Sequence, residues 1–324
     1  MKLKKEHIII FLIQVTEVLG FSLILPFLPL YAESLGASPI VIGLILTSFS
    51  FFQFFTSPIL GKLSDSYGRK PLLIFSQIST FLSFIILGFA NTLWLIFISR
   101  IVDGLFGSNF SIAQAYLSDI SSKKDRSKVF GLSGAAFGFG FLIGPAMGGY
   151  LSTLTPLGYR LPGFVAAGIT LLTIFITLFF LKETVKIKKN IKLNLNIFHF
   201  EDFFKYFKNK KVSNNLFQYF FFLLSHMIFT TQFALFVSKQ YGFGPREIGF
   251  LLTYVGATSV ILRGFLLPKL IDFFGEKKLL DYGLFSMIIG LFLASFVKTS
   301  PYIFIVITFF SFGSGINRPL LSGS

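Results

Sequence analysis

The chain is a succession of long apolar runs separated by short polar turns, and that pattern leaves little choice of fold. A helix rises 1.5 Å per residue, so about 20 apolar residues cross a hydrocarbon core about 30 Å thick. Ten runs qualify: residues 8–31, 40–60, 71–91, 93–117, 129–151, 162–181, 213–238, 247–267, 279–297 and 301–322. Backbone polar groups in lipid need internal partners, so every span is expected to be a helix. The chain has 13% charged and 53% hydrophobic residues, with 47 Phe, whereas a soluble domain carries about 25% charged residues. The first run follows "MKLKKEH" and looks like a secretory leader. It is too long for one and is interrupted by Glu17, so it reads as a retained span.

The net charge of +15 is no footprint for nucleic acid, because of where the cations lie. The turns on one side of the spans hold 22 of the 29 Lys and Arg residues, those on the other side hold 4, and Arg100, Arg263 and Arg318 fall within or at the ends of spans. The positive-inside rule then puts the N-terminus in the cytoplasm of a multi-pass protein of the cell membrane. The longest connection, 182–212, separates a six-helix bundle (1–181) from a four-helix bundle (213–324). Within it Phe198, Phe203, Phe204 and Phe207 alternate with charges, which suits either a helix lying on the membrane face or a plain basic tether. With no Cys and three His, thiolate chemistry is excluded and no metal site or cofactor is expected. Nor does the sequence hold an HExxH, a Gly-x-Ser-x-Gly or a pair of intramembrane aspartates, so an enzyme is not expected.

Several motifs stand out of this apolar background. "GKLSDSYGRKP", Gly61–Pro71, lies between the second and third runs, with Gly61, Asp65, Gly68, Arg69 and Lys70. A weaker copy, "LPKLIDFFGEKK", has Asp272 and Gly275 between the eighth and ninth. The fifth run, "GLSGAAFGFGFLIGPAMGG", spaces Gly131, Gly140, Gly144, Pro145, Gly148 and Gly149, and the fourth carries "RIVDGLFGSN" with Arg100 and Gly104. Together with "EVLGFSLILPFLP" in the first run, this set resembles the major facilitator superfamily, most closely its tetracycline and multidrug drug:proton antiporters. The resemblance implies an all-α fold of two six-helix bundles, duplicated gating loops at Asp65 and Asp272, and a span-five motif that occludes the pathway. That superfamily usually has twelve spans, so the second bundle here is read as incomplete.

The chemistry centres on ionisable groups that lipid does not tolerate cheaply. Glu17 lies about nine residues into its helix, near mid-bilayer, where a carboxylate costs about 2.5–3.5 kcal/mol. Proton binding removes that cost, and Gln14 at i−3 can orient the group. Arg100 and Asp103 sit at i and i+3 on one helix, either as a self-neutralising pair or as a partner switch that couples protonation to rearrangement. Candidate cavity residues are Gln14, Gln114, Gln218 and His226, with packing as the alternative for His226. Gly140, Gly144 and Gly148 make a smooth face for close helix approach, while Pro145 bends its helix. The expectation is a monomeric secondary transporter that exports small amphiphilic molecules in exchange for protons. A uniporter or importer for a sugar, peptide or other metabolite is the alternative.

Overall fold

The computed structural model describes residues 5–122, 126–154, 156–185 and 210–323. Its described residues are helical, with no strand among them, and the chain divides into two compact units, Met1–Ile197 and Phe198–Ser324. The amphipathic or tethering stretch expected around Phe198–Phe207 lies outside the described residues.

In the first unit, helix α1 (Lys5–Ile24) ends just before Pro26, and α2 (Leu28–Ser34) restarts with Pro29 in its first turn. A proline lacks the N–H that a helix interior needs but is tolerated at a helix start. Helix α3 (Pro39–Tyr67) is capped by Ser38, whose hydroxyl accepts the Val41 N–H. Next come α4 (Arg69–Phe89), α5 (Leu93–Phe106), α6 (Asn109–Ile120), α7 (Arg126–Leu151) and α8 (Leu161–Phe180). Packing within the unit is led by α1 against α7, α4 against α8 and α3 against α5.

The span expected at 93–117 is therefore interrupted at Gly107–Ser108. A helix break inside lipid leaves carbonyls that must find partners. Here side chains on α3 and α4 supply them. Thr56 donates to the Gly104 carbonyl (3.0 Å), Gln53 to that of Gly107 (3.0 Å) and Ser76 to that of Phe106 (2.6 Å).

The second unit comprises α9 (Lys210–Tyr241), α10 (Pro245–Ile261), a π turn at Leu262–Leu266, α11 (Leu267–Phe274), α12 (Glu276–Ala294) and α13 (Ile303–Gly323). The π turn absorbs the register change ahead of Pro268. Of the ten expected spans, seven are long and apolar enough on their own to cross a membrane, among the described residues. The shortfall is in the second unit. Helix α10 has 17 residues, α12 opens on Glu276, Lys277 and Lys278, and Ile303–Asn317 counts as a shorter apolar helix.

"GKLSDSYGRKP" is not the loop that the sequence suggests. Helix α3 runs through it to Tyr67, and the chain turns at the single residue Gly68. Gly61 is a helix-interior residue with open space around its Cα, so it makes no turn. Gly68 does, at φ 105° and ψ 146°, as does Gly275 at φ 75° and ψ 151°. In this region only glycine avoids a clash.

Candidate functional site

The three ionisable residues singled out in the sequence belong to one buried hydrogen-bonded chain. Its links, however, are side chains that the sequence did not single out. The Asn109 amide, at the start of α6, donates to Glu17 Oε2 (2.8 Å) and to Thr80 Oγ1 (2.9 Å). Thr80, on α4, donates in turn from its hydroxyl to Asp103 Oδ1 (2.8 Å). Arg100 Nη1 stands 3.9 Å from Asp103 Oδ2, donates from Nη2 to Ser83 and from Nε to Ser99, and lies beside the Phe84 ring. Asp103, Arg100, Asn109 and Thr80 are all buried. Glu17 is half-buried as a residue, but its Oε1 is sealed from solvent. Gln77 is fully buried against the Glu17 carboxyl without closing a hydrogen bond of good geometry.

Charge accounting follows directly. Arg100 faces Asp103, and the network holds one cation against two carboxyl groups. Glu17 is the group left over. A buried, unpaired carboxylate is too costly to persist without a proton or a bound cation.

A second cluster forms at the Gly68 corner. Arg69, nearly buried, pairs with Asp65, donates from Nε to Asp119 Oδ2 (2.8 Å) and from Nη1 to Ser64 (2.6 Å). Glu183, just past α8, receives the first two N–H groups of α4, from Arg69 (2.9 Å) and Lys70 (3.0 Å), as well as those of Thr184 and Val185. A carboxylate at a helix N-terminus satisfies orphan donors and complements the helix dipole. The N-terminus of α4 is thus capped by Glu183, while Asp65 pairs with the Arg69 side chain. Lys70 reaches the Leu178 carbonyl (2.7 Å).

Residues 10–323 match the sequence profile of the Major Facilitator Superfamily. The chain belongs to the Major Facilitator Superfamily. It is a multi-pass integral membrane transporter by family, not an enzyme. Over 316 residues it is 28% identical to the tetracycline resistance protein, class B, of Escherichia coli, covering 96% of this chain and 77% of that protein. Over 311 residues it is 28% identical to multidrug resistance protein 2 of Bacillus subtilis (strain 168), covering 94% and 77%. Among solved structures, a bacterial homologue of the human lysosomal transporter Spinster superposes with a TM-score of 0.79 at 15% identity, covering 98% of this chain and 74% of that one. That likeness concerns the fold.

In this superfamily member the glycine-rich fifth span serves as a packing surface for the helix that bears Glu17. A Cβ on Gly140 would collide with Val18, one on Gly144 with Ser22, and one on Gly148 with the Leu23 backbone. Ser22 bridges the two helices by donating to the Gly140 carbonyl (2.8 Å). Gly131 is exposed with open space around it and takes no part in this face, while Gly149 is buried. Helix α7 continues unbroken through Pro145.

The candidate cavity residues do not share one environment. Gln14 is fully buried and accepts from Ser133 on α7 (2.9 Å). Gln114 is half-buried and Gln218 is exposed. His226, on α9, is stacked between Phe222 and Phe310, with ring centroids 6.0 and 5.6 Å away, and Phe229 lies 3.7 Å from Phe310. At the second corner Asp272 is exposed, and among the described residues it forms no ion pair.

Asn109, Thr80 and Gln77 escaped notice because each is an ordinary small polar residue in an apolar run. A search for buried-capable amides and hydroxyls on α4 at helical spacing from Ser83 would have found Gln77 and Thr80. Asp119 and Glu183 carried no local signal, since their partner, Arg69, is remote in sequence.

Proposed function

We propose that this protein is a proton-coupled secondary transporter that exports small amphiphilic molecules by alternating access, in the manner that its tetracycline- and multidrug-resistance relatives suggest. One observation carries the reading: a single uncompensated carboxyl, Glu17, sits in a buried network whose other charges pair with one another. Such a group accepts a proton at low energetic cost and loses it only when its surroundings change. Occupancy of Glu17 therefore biases one access state over the other. Arg100 and Asp103 take part by holding the counter-charge one hydroxyl and one amide away. The Gly68 corner, with Arg69, Asp65, Asp119 and Glu183, acts as a latch on the cytoplasmic side, where the excess of Lys and Arg places the N-terminus. The working unit is a monomer in the cell membrane.

The test is export from proteoliposomes under an imposed proton gradient, with tetracycline and a lipophilic cation as probes. The wild type is expected to export against its concentration gradient and to stop when a protonophore collapses the proton gradient. Glu17→Gln should keep binding but lose the accumulation, by a factor within the 5–150-fold range typical of coupling free energies. Undiminished proton-driven export by Glu17→Gln would remove Glu17 from the mechanism, and transport indifferent to the gradient would point to a uniporter.

A further inference from the structure

Helix α13 carries Pro319 far beyond its first turn, where a missing N–H breaks the helical ladder. The carbonyl that loses its helical partner is that of Gly315, four residues back. Inside a membrane such a carbonyl must be satisfied from elsewhere. Arg263 supplies the donor, with its Nε 3.3 Å from the Gly315 oxygen. It reaches across from the π turn at Leu262–Leu266, so one irregular helix supports another. Gly315 lets the two come close, since a Cβ there would press on Leu262. The first unit holds a related bond. The 207 residues that separate Asp65 from Asp272 also separate Thr56 from Arg263, and Thr56 donates to the Gly104 carbonyl just before the break in the equivalent span. Buried polar groups without partners gather at both places. Ser108 Oγ lies in the first break, and Ser311 Oγ and both ends of the Asn317 amide flank Gly315. Asn317 is pressed against Gly283 of α12, where a Cβ would collide with its amide. Folded proteins rarely leave such groups open, and a cluster of them marks stored strain.

We infer that Arg263 is a positioning residue for transport: its guanidinium stands in for the N–H that Pro319 withholds, and α13 bends at Gly315 when that bond is released. The inference rests on the alternating access of the proposed function, not on proton coupling at Glu17. A helix closed by its own N–H groups bends only by giving up those bonds. At Gly315 one of them is replaced by a side chain from another helix, at a distance long for a hydrogen bond, so this point gives way first. Release frees the end of α13 to turn, and the Ser311 hydroxyl and Asn317 amide are the groups that gain partners when it does. Arginine suits the task. Its planar fork offers five N–H donors and stays charged at any physiological pH, so the bond is controlled by geometry rather than by titration.

The experiment is a double-mutant cycle on the purified full chain. It is read by reversible unfolding in detergent, by amide hydrogen exchange over residues 311–318, and by tetracycline counterflow in proteoliposomes. Pro319→Ala restores the missing N–H. It should be at least as stable as wild type and slow exchange over 311–318 about tenfold. Its turnover should fall at least about fivefold with tetracycline affinity unchanged, as for an element whose movement limits the cycle. Arg263→Leu should raise the unfolding constant at least about tenfold in the wild-type background, the scale of one hydrogen bond from a charged group. In the Pro319→Ala background the same change should cost under about threefold, because the carbonyl no longer needs the guanidinium. Arg263→Lys keeps a charged donor and should retain most of the turnover that Arg263→Leu loses. Should Arg263→Leu alone fail to fold, its recovery in the Pro319→Ala background meets the same prediction, and failure there too defeats the clamp. Equal losses in both backgrounds, unchanged exchange in Pro319→Ala, or turnover that falls only in step with stability would each overturn the inference. The two readings separate. Proton-driven export by the wild type together with additive losses defeats the Arg263 clamp alone. Coupled losses and slowed exchange in a protein that exports neither tetracycline nor a lipophilic cation uphold the clamp and defeat the proposed export.

Discussion

The two units are built on one plan and furnished in opposite ways. A constant shift in numbering relates Asp65 to Asp272, Gly68 to Gly275, and the bond from Ser79 to the Val102 carbonyl (3.1 Å) to that from Ser286 to the Phe309 carbonyl (2.6 Å). Each of those bonds spans 23 residues, and both glycines turn the chain with nearly the same dihedral angles. The same shift carries Gln77, Thr80, Arg100, Asp103 and Asn109 onto Leu284, Met287, Ile307, Phe310 and Ile316. Where the first unit has a buried charge network, the second has the aromatic stack around Phe310. At the corner, Arg69 is replaced by Glu276, so the cation that ties Asp65 and Asp119 together has no counterpart. Repeated architecture is thus a matter of backbone turns and a few hydroxyl-to-carbonyl bonds. At these equivalent positions charge sits in one repeat, and the other places apolar side chains there.

The largest effect that tests this contrast is Arg100→Met. It strands Asp103 in the interior, which typically costs about 3–5 kcal/mol. Ile307→Met at the equivalent position should cost under about 1.5 kcal/mol, as a swap of similar volume does. Thermal or chemical unfolding in detergent would measure both. Equal losses would mean that Arg100 is no more than packing, whereas recovery in Arg100→Met/Asp103→Leu would sharpen the case for charge.

Next in size is the corner. Gly68→Ala and Gly275→Ala both force alanine into a backbone region that costs of order 1–3 kcal/mol. A Cβ at Gly68 would in addition collide with the Glu183 carboxylate, while at Gly275 the space is open. Gly68→Ala should therefore be the more damaging, by about 1 kcal/mol or more, because it displaces a carboxylate that receives four backbone N–H groups. The same unfolding measurement checks it, and parity between the two variants would deny Glu183 its capping role.

Glu183→Gln keeps the shape and removes the charge. It should destabilise by about 0.5–2 kcal/mol, as loss of a helix cap does. Glu276→Gln, exposed in the other unit, should fall within about 0.5 kcal/mol of wild type. Smallest in stability, though not in function, is Asp65→Ala. Asp65 is more than half exposed, and Arg69 keeps Asp119, so the loss should lie near 0.2–1 kcal/mol. Turnover in proteoliposomes should nevertheless slow while substrate affinity holds, and Asp272→Ala should alter neither. A large fall in affinity with unchanged turnover would contradict the latch.

What could be read from the sequence is what depends on neighbours along the chain. Spans follow from runs of apolar residues, the turn at Gly68 from a glycine between two helices, and the close-packed face of α7 from Gly140, Gly144 and Gly148 at four-residue spacing. Glu17, Arg100 and Asp103 were visible because an ionisable group in lipid is rare enough to stand out. Gly61 shows the limit of this reading, since a glycine inside a motif looks like a turn until the helix is seen to pass through it.

Tertiary structure decided everything that depends on partners distant in the chain. Only folding brings Asn109 to Glu17, Thr80 to Asp103, and Asp119 and Glu183 to Arg69. It also decided that the fourth span breaks at Gly107, because the break survives only where Gln53, Thr56 and Ser76 arrive to satisfy its carbonyls. The physical reason is the same in each case. Hydrophobicity is additive along the chain and readable residue by residue, whereas a hydrogen bond or an ion pair exists only when two specific groups meet in a medium that offers neither of them water.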